Sequence, residues 1–164
     1  MFWPNTKQDY SRDAVRRYLI DNADTLLDTG TLYSCIVERM SADYDGDKFV
    51  DKNGYDQVDE ATKLTTEVKC TNEIQNPDGS ANFRIQSYEH KRGLFNFMKV
   101  IESVNNRVFR IPHDDWFAHL DETQGPDREG KGEFRWSATY GQNDKSKRGV
   151  RPENTQFLLK YEVT

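Results

Sequence analysis

The chain has 164 residues, of which 35% are hydrophobic and 12% aromatic, and its formal net charge is −5. These values predict one globular domain with its own core and exclude two large domains. No apolar run approaches the length of a membrane span, and the first residues lack a signal-peptide pattern, so we expect an intracellular, cytoplasmic protein. The acidic balance also argues against high non-specific affinity for nucleic acid.

Two helices are predicted in an N-terminal helical part, residues 1–40. The first covers residues 11–27, with Ser11 as its N-cap and Gly30 as its stop. The second covers about residues 31–40, where apolar side chains recur at helical spacing. Glu38 lies on the far side of that apolar stripe, so its carboxylate faces either a cleft or water.

The acids of the chain are concentrated in residues 41–60, where seven acids and two lysines give a net charge of −5. Asp43, Asp45 and Asp47 have the spacing of the first ligands of a calcium loop, but Lys48 and Gly54 stand where that loop needs Gly and Glu. Residues 44–54 are therefore predicted to be a flexible acidic loop, with a weak Ca²⁺ site as the alternative.

A β-hairpin is predicted from residues 54–59 and 64–69. Side chains alternate across a strand, so Val68 and Cys70 share a core-facing side, while Glu67 and Lys69 share the opposite side. The simple antiparallel register places Asp56 opposite Glu67, with their Cβ atoms about 5 Å apart. A bulge would shift that register by one residue. The alternative to a site is an ordinary surface ion pair.

Asp56, followed by Glu67-Val68-Lys69 on the next strand, resembles the PD-(D/E)xK signature of the restriction-endonuclease-like nuclease superfamily, although Tyr55 replaces its proline. The resemblance covers about residues 30–117. It implies an α/β fold with a mixed central β-sheet flanked by helices, a restriction-endonuclease-like core. Within the single domain of residues 1–164, residues 54–120 are expected to form this nuclease-like core.

The resemblance also implies a catalytic centre. Asp56, Glu67 and the backbone carbonyl of Val68 would bind Mg²⁺, and Mn²⁺ would substitute for it. Lys69 would position or activate the attacking water. Family nucleases commonly add an acid from the preceding helix, here Glu38. Magnesium prefers hard oxygen ligands, and a bound metal stabilises charge that develops on a phosphate, so these residue types suit phosphodiester hydrolysis.

Further strands are predicted at residues 81–86, 94–102 and 107–111, followed by a helix at 114–120. If the first of these strands adjoins the strand of Glu67 and Lys69, Gln86 points into the same cleft, as polar residues do in relatives. His113 and His119 have no partner motif and are expected to be surface or hydrogen-bonded histidines.

The C-terminal part, residues 121–164, is predicted to contain a loop at 121–131 and two strands, 134–140 and 157–161. These strands flank a basic loop at 143–151, a possible substrate-binding extension. The basic residues predicted to contact phosphates are Lys91, Arg92, Lys145, Lys147, Arg148 and Arg151. The alternative for each is ordinary solvated charge.

Together these features predict a Mg²⁺-dependent endonuclease that acts on duplex or branched DNA. A homodimer would suit cutting of two strands by so small a chain. The alternatives are a non-catalytic acidic module that binds Ca²⁺ or a protein, and an inactive nuclease fold that only binds DNA.

Overall fold

The computed structural model describes residues 7–28, 36–52, 54–75, 81–124, 131–138, 140 and 152–164. The elements in chain order are α1 (Arg12–Asp21), α2 (Ala23–Asp28), α3 (Ile36–Asp45), β1 (Lys48–Lys52), β2 (Tyr55–Val58), β3 (Thr65–Cys70), β4 (Asn72–Gln75), β5 (Ala81–Tyr88), a 3-10 helix (Glu89–Lys91), β6 (Phe97–Glu102), β7 (Arg107–Pro112), α4 (His113–Gln124), β8 (Lys131–Ser137) and α5 (Pro152–Leu159). In the part of the chain that the structure describes, no helix has the length and apolar character needed to cross a membrane.

A five-stranded mixed sheet with the order β1-β2-β3-β6-β7 forms the centre of the fold. Its β3 and β6 run parallel, and its other neighbours are antiparallel. Helix α3 packs against β1, β2 and β3, whereas α4 packs against β6 and β7. The predicted α/β class, a mixed central sheet flanked by helices, is confirmed.

Two hydrophobic cores lie on opposite faces of this sheet, because successive strand residues point to opposite sides. Met40 of α3, Val68 of β3 and Ile101 of β6 belong to the core under the N-terminal helices. Val100 of β6 belongs to a larger aromatic core that includes Trp116 of α4. The second sheet, with the order β4-β5-β8, packs its Phe83 and Trp136 into this aromatic core.

The predicted N-terminal helices are only partly correct. The first ends at Asn22, whose side-chain amide donates to the Tyr18 carbonyl, and α2 follows as a separate helix. Helix α3 continues to Asp45 because Ser41, Ala42 and Asp45 are buried. Residues 29–35, where the stop at Gly30 and the start of the second helix were predicted, lie outside the described residues.

The acidic segment and the C-terminal part also differ from expectation. Residues 44–54 were predicted as a loop, but they include the end of α3 and strand β1. The strand predicted at 157–161 is wrong, because Pro152 opens helix α5 and Phe157 and Leu158 are buried on it. The strand predicted at 134–140 is confirmed for residues 134–137, which belong to β8, and part of the loop predicted at 121–131 is the end of α4.

The turn before β2 gives a prediction about packing. Gly54 has φ +125°, and an added Cβ would lie 2.9 Å from the Leu94 Cβ, so we expect Gly54→Ala to cost about 1–3 kcal/mol of unfolding free energy. Gly46 is the matched control, since its φ is +71° and an added Cβ meets no described atom within 4 Å. Urea unfolding of both variants measures the difference, and equal losses would contradict the contact with Leu94.

Candidate active site

Strands β2 and β3 bring the predicted acidic pair together. Gln57 pairs with Thr66 and Val58 with Thr65, which is the simple predicted register and places Asp56 opposite Glu67. The backbone N–H of Val68 donates to Asp56 Oδ2 at 2.7 Å, which fixes this carboxylate against β3. The register expectation is therefore confirmed.

Glu67 lies at the base of the site, with its side chain only 1% exposed. Its Oε1 accepts from Lys69 Nζ at 2.9 Å and also from Lys91 Nζ. Its Oε2 is buried and has no hydrogen-bond partner among the described residues. Because a buried carboxylate oxygen is costly to leave unpaired, Glu67 is not one half of an ordinary surface ion pair, and its free oxygen is suited to another cation or donor.

The position of Asp56 disfavours the charged form of its carboxyl group. Burial, followed by the charge of Glu67 and that of Glu38, raises its pKa to about 7, although the Val68 N–H and Lys69 act in the opposite direction. Two neighbouring carboxylates that cannot both ionise cheaply are stabilised by a bound cation. The pair therefore has the charge expected of a cation site.

Lys69 is an ammonium donor in this environment. Burial opposes its charge, but Glu67, then Asp56 and Glu38, outweigh burial and raise its pKa above the usual lysine range. A lysine that holds its proton donates hydrogen bonds and positions groups, and it does not act as a general base near neutral pH.

Glu38 projects from α3 and belongs to the electrostatic neighbourhood of the pair. Its charge raises the pKa of Asp56, of Lys69 and of the buried thiol of Cys70. Asp59 has a separate role, since its Oδ1 accepts from the backbone N–H groups of Ala61 and Thr62 and shapes the hairpin turn.

The donor set of this site fits a hard divalent cation. Asp56 and Glu67 offer carboxylate oxygens, and the unpartnered Glu67 Oε2 is available without breaking a described bond. The described residues contain no group of three or more His, Cys, Asp or Glu side chains arranged to hold a metal. A carboxylate pair is sufficient for Mg²⁺, which keeps several waters and also takes substrate phosphate oxygens.

Gln86 is placed differently from expectation. It is exposed on β5, opposite Glu133 of β8. Strand β3 pairs with β2 and β6, whereas β5 lies in the second sheet, so the strand of Gln86 does not adjoin the strand of Glu67. The assignment of Gln86 to the cleft loses the contact on which it depended.

The predicted phosphate contacts divide into three cases. Lys91 lies in the site, on Glu67. Arg92 instead bonds Glu89 and both oxygens of Asp121, so its charge fastens the turn to α4. The remaining four, which lie outside the described residues, are Lys145, Lys147, Arg148 and Arg151.

The rival calcium loop is not formed. Asp43 and Asp45 lie within α3, where Asp43 accepts from the Tyr18 hydroxyl and Asp45 pairs with Lys99. The histidines are hydrogen-bonded, as expected: His113 Nε2 accepts from the Gly93 N–H, and His119 Nε2 lies 2.8 Å from Asn154 Oδ1.

The sequence analysis did not predict the contacts of two lysines, Lys91 with Glu67 and Lys99 with Asp45. Lys91 was expected to contact phosphate only, and no local pattern indicates its pairing with Glu67. Lys99 carried a usable signal, since it is the one charged residue among the otherwise apolar residues 97–101 of β6. Such a charge in a buried strand indicates a buried partner.

Comparison with known proteins adds little detail. No family model and no curated protein matches the sequence. A solved structure, that of the bacterial homing endonuclease I-Ssp6803I, is similar at 15% sequence identity and a TM-score of 0.41, over 79% of this chain and 85% of that chain. A similarity this low does not transfer a function, and the chemistry of the site rests on its own side chains.

Proposed function

We propose that this protein is a Mg²⁺-dependent endonuclease of the restriction-endonuclease-like superfamily that hydrolyses DNA phosphodiester bonds. One observation carries the proposal: Asp56 and Glu67 face each other across β2 and β3, with an unpartnered buried oxygen on Glu67 and the ammonium of Lys69 beside it. A carboxylate pair with an unpartnered oxygen can hold a metal, and a nearby ammonium can stabilise negative charge on a phosphate, as phosphodiester hydrolysis requires.

Asp56, Glu67 and the backbone carbonyl of Val68 would hold Mg²⁺, and Mn²⁺ would substitute for it. When bound, the metal would withdraw charge from the phosphate and ease formation of hydroxide from water. In the hydrolysis, a water oxygen bonds to phosphorus, the bond from phosphorus to one sugar oxygen breaks, and that oxygen takes up a proton.

Lys69 would donate hydrogen bonds to the reacting groups. Anchored on Glu67 Oε1 at 2.9 Å, its ammonium keeps further N–H groups for a phosphate oxygen or the attacking water. Glu38 would act from a distance, by adding negative charge that favours both the protonated lysine and a bound cation.

The proposed substrate is duplex or branched DNA, and Lys145, Lys147, Arg148 and Arg151 remain proposed phosphate contacts. Two subunits would allow both strands to be cut. The non-catalytic Ca²⁺ module is not favoured, because Asp45, one of its supposed ligands, is buried in an ion pair with Lys99.

The test is cleavage of supercoiled plasmid and of branched DNA by the purified protein with Mg²⁺ or Mn²⁺. We expect Lys69→Met to reduce the cleavage rate by about 10²–10³-fold, the range typical of losing one hydrogen-bond donor to the transition state. Lys160→Met, which removes an exposed lysine at the end of α5, should cleave at the wild-type rate.

Circular dichroism would verify that both variants are folded. Cleavage that persists in EDTA, or in Lys69→Met at the wild-type rate, would refute the proposed mechanism. DNA binding by the wild-type protein without turnover on either substrate would identify an inactive nuclease fold instead.

A further inference from the structure

Glu67 holds two lysines rather than one. Lys91 Nζ and Lys69 Nζ both bond its Oε1, although Lys91 comes from the 3-10 helix after β5 and not from the hairpin. The Lys91 side chain is 17% exposed and that of Lys69 is 23% exposed, while Glu67 beneath them is almost fully buried. The two ammonium groups therefore form the solvent side of the site.

The turn that carries Lys91 is held from several directions. The Leu94 N–H donates to the Lys91 carbonyl, and the Gly93 N–H donates to His113 Nε2 of α4. Arg92 adds its two bonds to Asp121 of α4. A side chain anchored by such a turn is positioned before any ligand arrives, which is what a substrate-contacting group requires.

The charges at the site argue for a role beyond packing. An ammonium has three N–H donors, and the bond to Glu67 uses one of those of Lys91. A substrate phosphate that approached Asp56 and Glu67 from solvent would contact both lysines. A divalent ion that approaches the same pair is repelled by both.

We propose that Lys91 is a second catalytic lysine, which contacts the substrate phosphate beside Lys69 and, without metal, shields Glu67 in place of the divalent ion. This inference rests on the proposed function. It requires two effects of opposite sign when Lys91 is neutralised, namely tighter metal binding and slower cleavage. A lysine that only orders Glu67 would give weaker metal binding.

The experiment uses the full chain and Mn²⁺ as the probe, with binding measured by isothermal titration calorimetry and cleavage at saturating Mn²⁺. For Lys91→Met we expect about tenfold tighter Mn²⁺ binding, since one unit charge is removed at close range. Loss of one transition-state donor should slow cleavage by about 10²-fold. Lys91→Arg keeps the charge and should bind Mn²⁺ within about twofold of wild type.

Lys160→Met is the control for loss of an exposed positive charge, and it should change neither readout. Mn²⁺ binding by Lys91→Met that is unchanged or weaker than wild type would overturn the inference, as would a wild-type cleavage rate. A wild-type protein that neither binds Mn²⁺ nor cleaves DNA would instead refute the proposed function. The two failures are therefore distinguishable.

Discussion

Replacing Lys99 by methionine is expected to lower the free energy of unfolding by about 3–5 kcal/mol, because it leaves a buried carboxylate without its cation. Lys99 is 1% exposed, and its Nζ donates to Tyr10 Oη at 2.8 Å and to Asp45 Oδ2 at 2.9 Å. Gln57 donates to the same Asp45 oxygen at 2.7 Å. Methionine fills a similar volume, so the loss reports the charge and not a cavity.

The same hydrogen-bond network supports the candidate active site. Gln57 also donates to Asp47 and accepts from Ser41, so it ties β2 to α3 directly beside Asp56. We therefore expect Lys99→Met to lower the rate of DNA cleavage as well as the free energy of unfolding.

Urea unfolding measures the loss, and a second substitution tests its cause. Adding Asp45→Asn to Lys99→Met removes the stranded charge and should recover roughly 1–2 kcal/mol. Lys160→Met should stay within about 0.5 kcal/mol of wild type, as exposed substitutions usually do. A loss below about 1 kcal/mol for Lys99→Met would show that the buried pair is not needed for the fold.

Asp56→Asn is expected to separate stability from activity. Asparagine keeps an oxygen that accepts from the Val68 N–H, but it removes the charge that burial and Glu67 disfavour. Without metal at pH 8, the variant should be more stable than wild type by on the order of 1–3 kcal/mol. On the proposed mechanism its cleavage rate should fall by about 10³-fold or more, because the metal would lose a charged ligand.

The pH dependence follows from the raised pKa. The Asp56 carboxyl has a pKa of about 7 in the fold and 3.8 as its ordinary value, so the fold favours the protonated form. Its contribution to stability is complete below about pH 4 and is lost as the pH rises through 7. The stability gap between Asp56→Asn and wild type should therefore be small at pH 4 and widen to pH 8.

Thermal unfolding from pH 4 to 8, with and without Mg²⁺, would measure both trends. Magnesium should raise the melting temperature of wild type at pH 8 more than that of Asp56→Asn. A variant less stable than wild type at pH 8 without metal would contradict the repulsion between Asp56 and Glu67. Asp59→Asn is the matched control, since that carboxylate serves the hairpin turn.

The acidic pair was predictable because its geometry is local. Alternation along residues 64–69 assigns Glu67 and Lys69 to one face, and a short turn leaves few registers for Asp56. The contacts of Lys91 and Lys99 were not predictable in the same way, since their partners lie 24 and 54 residues away. Periodicity describes neighbours in the chain and is silent on such distant pairs.

The predictions of secondary structure also succeeded where the pattern is local and failed where distant contacts decide. The strand predicted at 81–86 exists as β5, but only tertiary pairing assigns it to the second sheet, away from Glu67. Strand β1 was missed because its Lys48, Asp51 and Lys52 have low strand propensity, although pairing with β2 stabilises the strand. The composition of residues 157–161 predicted a strand, yet Phe157 and Leu158 are buried on helix α5, which packs against β8.

The sequence by itself determined the hairpin and the facing of Asp56 and Glu67, because strand alternation and turn length act over a few residues. The α/β class was implied by the resemblance of these residues to a nuclease signature. The tertiary structure alone decided that Glu67 is buried, that one of its oxygens is unpartnered and that Lys91 joins Lys69 on the other. Burial and long-range pairing arise only when β3 lies between β2 and β6. Burial of Asp56 beside Glu67 raises the pKa of Asp56 to about 7, and for this reason the pair is the candidate cation site.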